Sequence, residues 1–189
     1  MVRNSARRTA LIDAAIEVLA RDGARGLTFR AVDVEADVPA GTASNYFPSR
    51  DELFNQVGAH IHQRLTLAPD QVAAHPPSRQ QLTEIMRALF RHISANRTGW
   101  LALLELRLEA TRRPELRAAL TETLRANLTG NIEGRRAGGF PGDDLTTVLL
   151  YYAMTALIVE HLTVPGVLST FDIDELIASF VDRSLPKGM

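Results

Sequence analysis

The segment at residues 28–54, TFRAVDVEADVPAGTASNYFPSRDELF, constrains the fold of this 189-residue chain more than any other. Thr28 is a good helix N-cap, and apolar residues one turn apart predict a short helix over residues 28–36. Pro39 stops this helix, and the small residues that follow allow the chain to reverse closely. The next helix, predicted over residues 42–47, ends at another proline after barely two turns. A helix this short is not stable alone in water, so it must be packed on its neighbours.

A third helix begins directly after the short one. Ser49 and Glu52 form a capping box, in which the serine side chain accepts from the Glu52 amide and the glutamate side chain reaches back. Apolar residues at intervals of four then continue the helix: Leu53, Val57, Ile61 and Leu65. The short helix thus lies between two helices that can support it, and its outward face is polar.

The rest of the chain has helical periodicity and no strand pattern, so we expect an all-α protein of about nine helices. Capping boxes at Ser78 and Asp172 begin the fifth and ninth helices. Pro69, Pro76 and Pro77 separate the fourth helix from the fifth. The predicted helices lie over residues 6–22, 28–36, 42–47, 50–66, 79–96, 99–112, 115–136, 144–163 and 173–184.

Composition limits the class of protein. With 46% hydrophobic residues and a net charge of −1, the chain can form a sizeable core but has no large basic field. It contains no cysteine, which excludes disulfides and thiolate chemistry. The N-terminal segment has charges inside its apolar portion, unlike a signal peptide, and the longest apolar run, residues 148–159, is too short to span a bilayer. We therefore expect a cytoplasmic protein without a membrane partner.

No arrangement of residues typical of catalysis or metal binding is present in the sequence. HExxH, CxxC, P-loop and GxSxG motifs are absent. His60 and His62 lie two residues apart and face different sides of a helix. Glu105 and Glu109 share a helix face, but two arginines follow one turn on, which favours a solvated salt-bridge face. We expect no catalytic residue, no metal site and no cofactor, and hence a protein that is not an enzyme.

The segment described first resembles the tetracycline-repressor (TetR) family of bacterial transcription regulators. The similarity rests on VPAGTASNYF at residues 38–47, on SRDEL at residues 49–53, and on the upstream helix at residues 8–23. The motif that they outline, from residue 8 to residue 53, covers about a quarter of the chain.

The chain departs from the usual family pattern at a few positions. Asp33 stands where Ala is more frequent, and Asp37 stands where the family has the Gly of the turn. Ala43 and Ser44 are smaller than the usual Leu and aromatic pair. An aspartate tolerates left-handed backbone better than most residues, so Asp37 is compatible with the turn.

The resemblance implies two domains, a three-helix helix-turn-helix DNA-binding domain at residues 1–49 and a larger ligand-binding and dimerisation domain at residues 50–189. It places the short helix in the DNA major groove and nearby side chains against phosphates. The expected DNA-binding residues are Thr28, Arg30, Thr42, Ser44, Asn45, Tyr46 and Arg50. Further basic residues near the N-terminus, Arg3, Arg7 and Arg8, form a local cluster that can add phosphate contacts.

The same resemblance implies a ligand pocket in the C-terminal domain, with bulky apolar walls and a few polar groups. The candidate wall residues are Met86, Phe90, Trp100, Leu104, Leu108, Leu124 and Tyr151. The candidate polar groups are His60, Arg64, His92 and His161. Residues of these types at helical spacing are more often ordinary core or surface residues, and that interpretation stays open for each of them.

The predicted helix over residues 144–163 is apolar almost all round. Together with the apolar residues of the helix over residues 173–184 (Leu176, Ile177, Phe180 and Val181) it predicts a two-helix face that pairs with its copy in a symmetric four-helix bundle. The alternative is a central core helix within one domain.

The function implied is that of a homodimeric transcriptional regulator, usually a repressor, which a small apolar or amphipathic effector releases from its operator. An alternative is a helical dimer that binds a small molecule or a protein partner without recognising DNA. The neutral N-terminal third and the small Ala43 and Ser44 favour that alternative.

Overall fold

A computed structural model describes residues 5–67 and 76–186 of the chain. This part contains nine α-helices, one short 3-10 helix and no strand, so the all-α prediction is confirmed. The helices are α1 Ser5–Gly26, α2 Phe29–Glu35, α3 Thr42–Tyr46, α4 Arg50–Leu65, α5 Arg79–Ala95, α6 Arg97–Ala110, α7 Pro114–Ala137, α8 Asp144–Thr163 and α9 Ile173–Ser184. Arg3 and Pro69, which the sequence singles out, lie outside the described residues.

The largest difference from the predicted boundaries is at the end of α1. The helix runs on to Gly26 through Gly23, whose dihedral angles (φ 68, ψ −179) are not helical. A glycine takes such a left-handed φ without steric penalty, so the chain kinks at Gly23 and then makes one further turn. The 3-10 helix at Pro165–Leu168 is also absent from the prediction.

The chain divides into two compact units. The first comprises Met1–Thr66 and Asn96–Thr123. In it α1 packs against α2, α4 and α6, and α4 also packs against α6. Its fully buried side chains include Leu11, Ile16, Leu19, Leu27, Leu53, Phe54, Ile61, Leu106 and Leu116. Because α4 and α6 share this unit with α1, the unit extends beyond the predicted DNA-binding domain, and the functional division between residues 49 and 50 stays a prediction.

The second unit comprises Leu67–Ala95 and Leu124–Met189. In it α5, α8 and α9 pack on one another. Their contact is formed by Leu82, Leu150, Val181 and Leu185, with Met86, Phe140 and Phe180 packed against this cluster. A complete capping box between Asp143 and Thr146 begins α8.

The helix α8 is only partly covered within its unit. Met154 and Leu157 are buried, whereas Leu145, Leu149 and Tyr152 are 61%, 48% and 61% exposed. These three exposed residues follow one another at intervals of four and three and therefore lie on one face of the helix. By length and composition α8 could cross a membrane, although its unbroken apolar run is short. It packs on α5 and α9 along one side, and 33% of its apolar window is buried.

The predicted pairing face needs one correction on α9. Ile177 and Val181 are fully buried inside the second unit, so they belong to its core. Leu176 and Phe180 are half-buried. Successive turns of α9 place these two pairs on neighbouring faces, and only the second pair keeps surface that another chain can reach.

Candidate DNA-binding surface

The short helix α3 presents a polar face to solvent. Ser44 and Asn45 are exposed, whereas Ala43 and Phe47, the residue after the helix, are 0% and 1% exposed. The remaining two helix positions, Thr42 and Tyr46, are half-buried. The small size of Ala43 is thereby explained, because this residue packs inward and its side chain is not part of the exposed face.

The polar groups of α3 differ in how far they are already hydrogen-bonded. Thr42 Oγ1 donates to the Pro39 carbonyl at 2.5 Å, and Ser44 Oγ donates to the Gly41 carbonyl at 2.9 Å. Their oxygens keep acceptor capacity. The side-chain amide of Asn45 makes no hydrogen bond within the described part of the chain. It can therefore both donate and accept, which is the property that a side chain needs to read an adenine edge.

The turn between α2 and α3 needs unusual backbone conformations at Asp37 (φ 49) and Gly41 (φ 86). Both lie in the left-handed region, which aspartate visits more readily than most residues and which glycine visits freely. The turn of the family pattern is thus kept although Asp37 replaces the usual glycine.

Asp33 holds the start of α3 from the neighbouring helix α2. It is 2% exposed, and its two carboxylate oxygens accept from the Gly41 amide at 2.7 Å and the Ala43 amide at 2.6 Å. The N-cap of α3, Gly41, has no side chain that can accept these bonds. A carboxylate inside the last turn of a short helix was the sequence signal for this contact, but the sequence left its burial and its partners open.

Arg8 supports the other end of α3. Its guanidinium donates to the Tyr46 carbonyl at 3.0 Å and to Gln56 Oε1 at 2.7 Å, and it lies 5.2 Å from the centre of the Phe47 ring. The sequence placed Arg8 in a cluster for phosphate contacts. The structure shows that Arg8 joins α1, α3 and α4, because the carbonyls at the end of a helix need donors from elsewhere. A phosphate contact of Arg8 stays a prediction.

The expected phosphate contacts differ in their availability. Arg30 is exposed and has no ion pair or hydrogen bond within the described residues. Thr28 is exposed, and its hydroxyl oxygen caps α2 by accepting from the Ala31 amide at 3.1 Å, which leaves its proton free to donate. Arg50 is half-buried and donates to the Ala24 carbonyl at 3.0 Å. The role of Arg50 in phosphate binding stays a prediction. Its contact with the end of α1 was not predicted from the sequence.

Four of the candidate ligand-binding residues belong to the second unit. Met86, Phe90, Leu124 and Tyr151 are half-buried, and the Phe90 ring lies 4.8 Å from the ring of His161. The cavity described in this unit has a volume of about 270 Å³. It is lined by Pro77, Ser78, Arg79, Gly139, Pro141, Gly142, Leu185 and Pro186. None of the candidate residues lines this cavity.

The other three candidates lie on α6, in the first unit. Trp100 is 9% exposed, Leu104 is half-buried and Leu108 is 58% exposed. The Trp100 Nε1 group has no hydrogen-bond partner among the described residues. Of the polar candidates, His60 contacts Asp13 at 3.0 Å and Arg64 contacts the same carboxylate at 3.3 Å. These contacts join α1 to α4. The ligand-binding roles of all these residues stay predictions.

Comparison with known proteins gives the family. The profile of the bacterial regulatory proteins of the tetR family matches residues 11–57, and that of the tetracyclin repressor-like C-terminal domain matches residues 77–187. The HTH-type nicotine-responsive transcriptional repressor HdnoR of Paenarthrobacter nicotinovorans is 29% identical over 109 residues, which cover 57% of this chain and 56% of that protein. The chain spans about half to two thirds of the length of the curated relatives that it matches.

Solved structures with a similar fold match nearly the whole of this chain. The multidrug binding protein EbrR complexed with imidazole has a TM-score of 0.70 and 29% identity, and the match covers 97% of each chain. A TetR-family member from Streptomyces coelicolor A3 has a TM-score of 0.72 and 29% identity over 95% of this chain and 98% of that one. The matched profiles include more than half of the sequence. The resemblance found at the helix-turn-helix is thereby confirmed, and this chain belongs to the tetR family of bacterial regulatory proteins.

Proposed function

We propose that this protein is a cytoplasmic, ligand-responsive transcriptional regulator that binds an operator as a homodimer and acts as a repressor. The observation that carries the proposal is the outward polar face of α3. Asn45 and Ser44 are exposed while Ala43 and Phe47 anchor the helix inward. A helix with five residues keeps such a face only because its neighbours supply its stability. HdnoR, a relative, is named as a transcriptional repressor.

The DNA contacts are divided between base reading and phosphate binding. We place Thr42, Ser44, Asn45 and Tyr46 in the major groove, with the free Asn45 amide as the main base-reading group. Arg30 and Thr28 flank this face at the start of α2 and would bind phosphates. Two such surfaces related by a dyad would contact half-sites about 34–36 Å apart.

The dimer contact is proposed on the exposed face of α8. Leu145, Leu149 and Tyr152 form an apolar stripe that nothing within the described chain covers fully. Leu176 and Phe180 would add the surface that α9 contributes. Exposed apolar side chains arranged in this way are typical of protein interfaces. A symmetric pair of these helices would form a four-helix bundle.

The proposed dimer is tested by Leu149→Glu. A charge on the stripe must be desolvated when two copies meet, so the variant should elute as a monomer at concentrations where the wild-type chain is a dimer. Val34→Glu is the matched control, because Val34 is 74% exposed and lies on α2. Light scattering after size exclusion gives the mass. A Leu149→Glu variant that stays dimeric would contradict the assignment of this face.

The proposed effector is a small apolar or amphipathic molecule. EbrR, whose fold this chain shares, has been solved with ethidium, proflavin and malachite green. Those aromatic compounds indicate the kind of molecule to try first. The chain has one tryptophan, Trp100, which makes its fluorescence a reporter for α6. Quenching of Trp100 that saturates with the concentration of such a compound, and that free tryptophan amide at the same absorbance does not show, would support binding.

The DNA claim is tested by selecting genomic fragments with the purified wild-type chain. On a selected duplex, Asn45→Ala should weaken binding by about 1–3 kcal/mol, the usual value of one good base contact. Arg30→Ala should weaken specific and non-specific binding alike. It should also make the slope of the logarithm of the binding constant against the logarithm of the salt concentration less steep by about 1 per protomer. Asn131→Ala and Arg125→Ala, both at exposed positions of α7, are the matched controls. Failure of the wild-type chain to retain any fragment would favour a helical dimer without DNA recognition.

A further inference from the structure

Asp33 occupies a position that is unfavourable for an acidic residue in three respects. It lies inside the seven-residue helix α2, where aspartate has poor propensity. It lies near the C-terminal end of that helix, where the helix dipole disfavours negative charge. It is also 2% exposed, so its carboxylate has lost most of its hydration. Its favourable contacts must therefore come from outside α2.

Those contacts are the amides at the start of α3. One carboxylate oxygen accepts from the Gly41 amide at 2.7 Å, and the other accepts from the Ala43 amide at 2.6 Å. The two amides lie two residues apart, on either side of Thr42. A planar carboxylate bonded to both fixes the rotation of α3 about its axis as well as its position, and so decides where Ser44 and Asn45 point.

The same contacts change the electrostatics of the helix. The free amides and positive dipole end of a helix N-terminus attract phosphate when they are open to it. In α3 a buried negative charge occupies two of these amides. These two amides are therefore not available to a DNA phosphate, and the helix contributes to binding mainly through its side chains.

We propose that Asp33 is a specificity-determining positioning residue of the DNA-binding surface. It orients the base-reading face of α3 and stops the helix N-terminus from holding phosphate in a sequence-independent way. This role rests on the proposed function. Loss of the carboxylate should lower affinity for the operator and leave affinity for unrelated DNA the same or higher.

The test compares Asp33→Asn and Asp33→Ala with Glu35→Gln. Asparagine keeps the shape of the side chain but offers one acceptor oxygen, and alanine offers none. Glu35→Gln removes one charge from the same helix, and the Glu35 side chain contacts Arg21 at 2.8 Å. Each variant is checked by circular dichroism and is assayed well below its unfolding temperature. If Asp33→Ala does not fold, Asp33→Asn carries the comparison.

Affinity is measured by fluorescence anisotropy on a duplex selected by the wild-type chain and on a scrambled duplex of equal length. We expect the Asp33 variants to lose about tenfold or more on the selected duplex, because α3 is no longer held in the orientation that its base contacts need. On the scrambled duplex they should bind no more weakly than the wild-type chain. Glu35→Gln should change both affinities by one common factor. Without DNA, the Gly41 and Ala43 amides should exchange hydrogen faster in Asp33→Ala, as seen by NMR.

Three results would overturn the role of Asp33 while leaving the regulator intact. They are unchanged affinity for the selected duplex, an equal loss on both duplexes, and unchanged exchange of the two amides. If the wild-type chain retains no duplex at all, the proposed function fails first, and the role in specificity fails with it. The wild-type binding curve therefore separates the two failures.

Discussion

Arg113 joins the start of α4 to the end of α6, and its replacement is expected to destabilise the first unit measurably. Its Nε donates to Glu109 Oε1 at 2.5 Å, its Nη1 donates to Asp51 Oδ1 at 2.8 Å, and its guanidinium lies 5.2 Å from the centre of the Phe54 ring. The Glu109 side chain is 12% exposed, whereas that of Asp51 is 47% exposed. The contact with Glu109 should therefore contribute more to stability than the contact with Asp51.

Arg113→Met keeps most of the apolar stem and removes the charge, so the two ion pairs can be judged separately from packing. A hydrogen bond to a charged group that is nearly buried contributes about 1.5–3 kcal/mol. The exposed pair with Asp51 contributes about 0.2–1 kcal/mol. We expect a loss of about 2–3 kcal/mol in the free energy of unfolding. For a chain of this size that corresponds to a fall of about 4–12 °C in Tm.

The effect should depend on pH in a definite direction. The hydrogen bond from Arg113 is the main cause that lowers the pKa of Glu109 below its ordinary value of 4.5. A carboxylate whose pKa is lowered by folding adds stability above its unfolded pKa, and this stability is lost as the pH falls through the folded pKa. The difference between wild type and Arg113→Met should thus be full at pH 7 and shrink as the pH falls below about 4.5.

The assay is urea denaturation followed by circular dichroism at several pH values. Arg112→Met is the matched control, because Arg112 contacts the same Glu109 carboxylate at 3.2 Å but is 68% exposed. In a Glu109→Gln background, Arg113→Met should cost less than about 1 kcal/mol, since the charged partner is already gone. Equal effects of the two arginine replacements, or a difference that does not change with pH, would refute this reasoning.

Further predictions concern the stability of single elements and use thermal unfolding of the full chain. Gly130→Ala should stabilise by about 0.5–1 kcal/mol, because a Cβ there meets nothing within 4 Å and alanine favours the helix. Gly142→Ala should destabilise by about 1–3 kcal/mol, because φ is +96° and the new Cβ would come within 2.7 Å of Thr146. Ser49→Ala should lower the free energy of unfolding by about 1 kcal/mol through loss of the α4 cap, and Ser49→Thr should keep most of the stability that the cap provides. Leu106→Ala should cost about 2–5 kcal/mol, since Leu106 is 0% exposed.

Most of the helices could be predicted because their signals are local. Ser49, Ser78 and Asp172 each accept from the amide three residues on, as their capping patterns indicate. One detail differs in the first of these boxes. The Glu52 side chain accepts from Gln56 one turn further along α4, because a glutamine at that spacing offers a side-chain donor on the same helix face.

The contacts that could not be predicted join residues far apart in the sequence. Arg8 meets the Tyr46 carbonyl 38 residues away, and Arg50 meets the Ala24 carbonyl 26 residues away. Periodicity shows which face of a helix is apolar, but it does not show which carbonyl a half-buried arginine beside that face will bind. The carbonyl contacts of Arg8 and Arg50 were therefore missed, and the pairing face of α9 was assigned residues that its own unit buries.

These long-range contacts explain how a helix with five residues can be held in place as the proposed recognition element. Asp33 holds its first amides, Arg8 holds its last carbonyl, and Ala43 and Phe47 bury its inner face. Asp33 lies on α2 and Arg8 on α1, so neighbouring helices fix α3 at both ends while its own inner residues anchor one side. What remains is an outer face whose side chains can change without loss of these supports. Sequence-specific binding should therefore respond to substitutions at buried Asp33 as strongly as to substitutions at exposed Asn45.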